Sequence, residues 1–205
     1  MAKLGNEGTG EINMSESEAL CSIRDCARAV IEAIAQDPTD ISRLRAGLLE
    51  AAGPFIRRPD LYSLGVKRPG NHIDNSKYIY YDGDLSITLD QLPQGMVVPP
   101  HDHGVWEALT ILKGRLRHVV YDRRDDGTVE EYADLETIED RIYTPGELAM
   151  VMPPAEIHSF TALEAETFIF TIVGGNYKPT RHYYNVDKKS YVVATAGNQP
   201  KADAA

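Results

Sequence analysis

The sequence is short of basic charge, cysteine and long apolar runs, and each shortage closes off a class of function. Twenty-one Lys and Arg stand against thirty-one Asp and Glu, a formal charge of -10. A nucleic-acid backbone or an anionic membrane needs a basic surface, so neither is expected as a partner. No stretch is long and apolar enough to span a bilayer. The opening MAKLGNEGTGEINMSESE also lacks the apolar centre of a signal peptide. There are only two cysteines, Cys21 and Cys26. On a helix, residues five apart point about 140° away from each other, which rules out a disulfide between them. Free thiols fit a reducing compartment, and the expected location is the cytoplasm. There is no repeat of solenoid type.

What is present is ordinary for a globular chain: 205 residues, 42% hydrophobic and 25% charged, enough for one domain with a sizeable core. Residues 1–14 are Gly-rich and polar and read as disordered, as does the tail 195–205. Ser15 or Ser17 can cap a helix whose apolar positions Ile23, Ala27, Val30, Ile31 and Ile34 recur at three and four. Asp37-Pro38 stops it. A second helix, capped by Thr39 or Asp40, runs through Ile41, Leu44, Leu48 and Leu49 and ends near Gly53-Pro54. Residues 15–60 are thus a helical layer. A loop-like stretch with Pro59, Pro69, Gly70 and His72 follows, and His72 reads as an exposed loop residue. The region 61–194 is otherwise strand signal. Leu85, Ile87 and Leu89 alternate with polar residues, and turns at Asp82-Gly83, Asp125-Asp126-Gly127 and Pro145-Gly146 recur about every ten residues. That pattern argues for an antiparallel sandwich or barrel.

The chemistry is concentrated in GMVVPPHDHGVWEALTILKG, residues 95–114. In an extended strand side chains alternate faces, so His101, His103 and Glu107 share a parity and point the same way. Two imidazoles and a carboxylate on one face suit a borderline divalent metal. A facing strand must supply a third histidine. His158 fits best, because proline lies just upstream and apolar strand lies on both sides. His118, among Arg115, Arg117 and Arg123, reads as structural, and His182 as a residue at the lip. Tyr78, Tyr80 and Tyr81 read first as packing, with a hydroxyl in the pocket as the sharper alternative. The pocket is expected to be largely apolar, lined by some of Val98, Met150, Met152, Phe160, Phe168 and Phe170, which suits a small organic substrate. Trp106 should face away from the site.

These residues resemble a known family. Gly95, His101, His103, Glu107 and Gly114 reproduce the first cupin motif: glycine, five residues, H-x-H, three residues, glutamate, six residues, glycine. Gly146, Pro153 and His158 stand for the glycine, proline and histidine of the second. The resemblance implies a mainly β fold, the cupin double-stranded β-helix or jelly-roll barrel, behind the N-terminal helical layer. HDHGVWE is most similar to the cysteine dioxygenase-type group of thiol dioxygenases. That similarity implies Fe(II) on His101, His103 and His158, with Mn, Ni, Cu or Zn as other possibilities. It also implies O₂ and a small thiol acid as co-substrates, a diketone or hydroxy-aromatic acid being next in line, and carries an expectation of homodimers. Glu107 would be a fourth ligand or a catalytic base. Two other readings stand beside this one. One is a metal-dependent isomerase or lyase with Glu107 as base. The other is a cupin that binds a ligand without turnover.

Overall fold

The computed structural model describes residues 20–36, 39–68, 73–195, 198 and 200. The expected disorder of 1–14, the caps at Ser15 or Ser17, the stop at Asp37-Pro38, His72 and most of the tail lie outside the described residues.

Helix α1 (Ile23–Gln36) begins at Ser22. The Ser22 hydroxyl accepts from the Asp25 N–H at 3.1 Å, and the Asp25 carboxylate accepts from the Ser22 N–H at 3.2 Å. This reciprocal capping box satisfies two otherwise orphaned donors. It starts the helix at Ile23, the first of the recurring apolar positions. Helix α2 (Ile41–Ile56) is capped by Asp40, which accepts from the N–H groups of Ser42 and Arg43 at 2.9 and 3.1 Å. It runs past Gly53-Pro54 to Ile56. A proline in the last turn forfeits only one terminal hydrogen bond, and the turn carries Phe55 into full burial. The Arg57 N–H closes the end on the Gly53 carbonyl.

The remainder is antiparallel sheet. The strands are β1 (Val66–Lys67), β2 (Asn75–Tyr81), β3 (Leu85–Leu92), β4 (Val97–His101), β5 (Trp106–Lys113) and β6 (Leu116–Arg123). After them come β7 (Leu135–Tyr143), β8 (Leu148–Val151), β9 (His158–Ala162), β10 (Thr167–Gly174), β11 (Arg181–Asn185) and β12 (Ser190–Ala194). They form two six-stranded sheets, ordered β1-β2-β3-β10-β5-β8 and β12-β11-β4-β9-β6-β7. Two facing antiparallel sheets joined by crossovers, behind two helices, are the mainly β jelly-roll barrel with a helical layer that the sequence predicts.

The helices cover the outer face of the first sheet. Cys26, Val30, Leu44, Leu48 and Phe55 pack there on Leu85, Ile87, Leu89, Met150, Phe170 and Ile172. A second core fills the space between the sheets with Leu92, Val98, Leu109, Ile111, Leu116, Phe160 and Ile169. Strand β3 is therefore buried on both faces. Leu85, Ile87 and Leu89 meet the helices, while Ser86, Thr88 and Asp90 point inward and are buried as well. The alternation that normally marks a solvated face marks an internal polar wall here. Cys21 and Cys26 are both free thiols, and burial pushes Cys26 up to about 12.

Candidate metal centre

His101 ends β4, and its partner across the sheet is His158, the first residue of β9. The β4–β9 register shifts between Val98 and His101, where Pro99 and Pro100 interrupt the pairing. In a sheet a one-residue slip exchanges faces; the extra residue on β4 turns His101 into the barrel, where His158 already faces by ordinary alternation with Phe160.

The expectation that His101, His103 and Glu107 share one strand face is corrected. Strand β4 stops at His101, and residues 102–105 form a turn containing Gly104 at φ +76°. Glu107 then lies on β5, in the other sheet. The chain crosses between sheets inside the motif, and the crossing, not alternation, brings the three together. Asp102 anchors the turn. Its carboxylate accepts from the His182 backbone N–H at 2.9 Å and lies 2.7 Å from His182 Nδ1. His182 is thus a half-exposed anchor beside the site. Trp106 packs away from the centre, over Gly174, where a Cβ would meet its ring at 2.0 Å.

The three histidines expected as ligands do converge. His101, His103 and His158 are buried, and one nitrogen from each lies within 4.8 Å of the other two. His103 Nε2 and His158 Nε2 are 3.2 Å apart. Two nitrogens bound to one ion at about 2.0–2.1 Å stand roughly 3 Å from each other, so the donors fit a single metal. The His101 Nδ1–H donates to the Pro99 carbonyl at 3.0 Å, which leaves its lone pair on Nε2. His103 Nδ1 is 3.4 Å from the Glu156 carboxylate. Burial pushes both His103 and His158 below the ordinary imidazole value, and His158 well below it. Neutral rings are what a metal requires. Glu107 completes the cluster, with its carboxylate oxygens 3.8 Å from His103 Nε2 and 3.9 Å from His158 Nε2.

Three residues of the site were not anticipated as such. The Tyr177 hydroxyl, from the loop before β11, donates to Glu107 Oε2. Burial, and then Glu107, hold that phenol well above its usual value. Arg181 is only 7% exposed, and its guanidinium lies over the Tyr177 ring at 4.3 Å. Among the described residues it forms no ion pair, and its Nε has no hydrogen-bond partner. His118 is buried beside His158, its Nε2 2.9 Å from His158 Nδ1, and it does not point at the converging nitrogens. Burial lowers His118 to about 4. The alternation Leu116, His118, Val120 against Arg115 and Arg117 was the available signal for its inward position. Tyr177 and Arg181 had none.

An internal cavity of about 50 Å³ opens beside His101 and Glu107. By the same measure one water needs about 10–15 Å³, so a few heavy atoms fit. Val98 and Phe160 line it as expected, but Met150 and Phe170 face the helices, and Phe168 packs outside on Tyr62. Strand parity decides this: on β10 the inward residues are Ile169, Thr171 and Val173. The wall is also more polar than expected, with Arg68, Ser86, Thr88, Asp90, Thr171, Tyr177 and Arg181. Asp90 accepts from the hydroxyls of Ser76, Thr88 and Thr171, and burial still raises its carboxyl above the ordinary value. None of the three early tyrosines reaches the cavity. Tyr80 donates to Asp82, Tyr81 is exposed, and Tyr78 lies under Arg68.

No protein-family model and no curated protein matches the chain. Some solved structures are similar to it. KdgF from Halomonas sp. is 19% identical over 49% of this chain and 79% of its own, with a TM-score of 0.38. A cupin superfamily protein from Desulfitobacterium hafniense is 18% identical over 58% and 93%, at 0.39. The polyketide cyclase RemF from Streptomyces resistomycificus is 16% identical over 60% and 80%, at 0.41. At scores this low the likeness decides neither lineage nor activity, and the chemistry rests on the site itself.

Proposed function

We propose that this protein is a cupin-type, mononuclear metal-dependent dioxygenase that adds both atoms of O₂ to a small organic acid in the cytoplasm. The favoured substrate is a thiol acid, converted to the sulfinic acid. The observation that carries the reading is the set of three buried, converging imidazoles, of which His101, together with Glu107, lines a small cavity. His101, His103 and His158 would hold Fe(II), the leading candidate, or Mn, Ni, Cu or Zn. Such an ion would act as a Lewis acid and, if redox-active, would bring O₂ to the substrate.

The chain's own residues do the rest. Arg181, a buried cation without an anionic partner among the described residues, suits the substrate's acid group, because a buried charge is stable only when paired. Glu107 lies where it can take the substrate's proton, and Tyr177 fixes its carboxylate in one orientation. Ile73, Val98, Leu109 and Phe160 keep water from the remaining wall.

The Glu107–Tyr177 hydrogen bond also favours a second reading, an isomerase or lyase in which Glu107 is the base and O₂ takes no part. Oxygen uptake separates the two. Fe(II) is loaded anaerobically and O₂ is admitted with each of a panel of thiol acids, diketones and hydroxy-aromatic acids. Stoichiometric O₂ loss with one substrate class supports the dioxygenase. Substrate conversion without O₂ loss supports the isomerase or lyase, and ion uptake without any conversion supports a binding module.

A further inference from the structure

Among the described residues His118 is the one fully buried histidine that the converging set leaves unused, at 1% exposure on β6. Its Nε2 is 2.9 Å from His158 Nδ1, and its own Nδ1 has no partner among the described residues. His158 Nε2 in turn lies 3.2 Å from His103 Nε2. The three rings form a row, and each gap must hold one proton for a hydrogen bond to exist there. Ligand histidines usually donate their second N–H to a carboxylate or a carbonyl, which fixes the ring's tautomer outright. A neutral imidazole can accept or donate, so it fixes nothing by itself.

Resting on the metal-centre reading above, we infer that His118 is a positioning residue for His158, and that metal occupancy is tied to a paired change of tautomer in the two rings. Without metal, the His118 Nε2–H donates to His158 Nδ1, and the His158 Nε2–H donates to His103 Nε2. Every gap in the row is then filled. For His158 Nε2 to offer a lone pair, its proton must sit on Nδ1 and be donated to His118 Nε2. His118 must then carry its own proton on Nδ1. Each ring keeps one proton throughout, so the exchange is neutral, and the only new demand is an N–H on His118 Nδ1. That demand explains why a second imidazole, and not a carboxylate, suits this place. A carboxylate would lock His158 in the ligating form, whereas His118 lets the site rest in a fully bonded arrangement when empty.

Zinc is the probe, because it is diamagnetic and takes no part in redox chemistry. Two-bond ¹⁵N–¹H correlation spectra of the wild-type protein should place the His118 and His158 protons on Nε2 without zinc and on Nδ1 with it. His118 still protonated on Nε2 in the zinc form overturns the inference. Zinc affinity supplies the second arm. His118→Phe, which keeps a ring but offers no acceptor, should weaken zinc about 10–100-fold. His118→Gln, which keeps an acceptor at the Nε2 position, should stay within a few-fold of wild type. Equal affinities for the Phe variant and the wild type contradict the positioning role. The melting temperature of the metal-free variants reports simple loss of packing separately. A wild type that takes up no zinc removes the metal centre itself, a result distinct from zinc uptake with unchanged tautomers.

Discussion

His101 and His158 sit opposite each other on neighbouring antiparallel strands, ring centroids 4.7 Å apart, although they are far apart in sequence. His158 faces inward with Phe160 by ordinary alternation, and the shift at Pro99-Pro100 brings His101 to the same face. The two strands are neighbours in the second sheet but distant along the chain, so these two donors meet only when β4 and β9 pair.

Glu107 is the first residue to test. Its oxygens lie near two of the converging nitrogens, yet Tyr177 already holds one of them. Glu107→Gln should keep the ion and lower kcat by roughly 10²–10⁴-fold, the usual worth of a positioned base. Loss of the ion instead would make Glu107 a ligand.

Arg181 gives a prediction of opposite signs for stability and binding. Arg181→Met keeps much of the volume and removes a buried charge that has no ion pair among the described residues, so the melting temperature should hold or rise. The same variant should raise KM for the acid substrate by roughly 10–100-fold, because a charge-assisted hydrogen bond contributes about 1.5–3 kcal/mol. Small carboxylates should raise the melting temperature of the wild type and leave the variant's unmoved. An unchanged KM removes Arg181 from the substrate site.

The pH dependence of metal-free stability follows from His118. Its folded value is lowered to about 4 by burial, against about 6.5 in an unfolded chain. The unfolded state therefore binds more protons between those values. Stability is complete above about pH 6.5 and falls as pH drops toward 4. Over that window His118 alone should account for about 3 kcal/mol. Urea titrations of the wild type and His118→Gln, which does not titrate, should diverge only below about pH 6.5. Parallel curves would show that His118 is not buried as a neutral ring.

The helical layer is tested by Phe55→Ala. Phe55 is fully buried, with its ring centroid 6.0 Å from that of Phe170 across the helix–sheet boundary. Truncation should cost about 3–5 kcal/mol in denaturant titrations. A loss below about 1 kcal/mol would mean that the helices are not integral to the barrel.

The sequence was most informative where residue identity and spacing carry the message. Gly95, His101, His103, Glu107 and Gly114 announce a site, and the periodicities of Ile23–Ile34 and Leu85–Leu89 announce helix and strand. It misled where tertiary context overrides local pattern. His101, His103 and Glu107 meet because the chain changes sheets at Gly104, not because they share a strand face. Ser86, Thr88 and Asp90 look like a solvated edge and line a cavity, because the helices occupy the other face. Arg181 and Tyr177 join the site from a loop and strand with no spacing relation to the motif.

Metal content tests the central claim most directly. Elemental analysis of wild-type protein purified without added metal, beside His158→Ala prepared identically, should find about one transition-metal ion per chain in the first and almost none in the second. A wild type that stays empty under every loading condition, or a variant that keeps its ion without His158, would contradict the account.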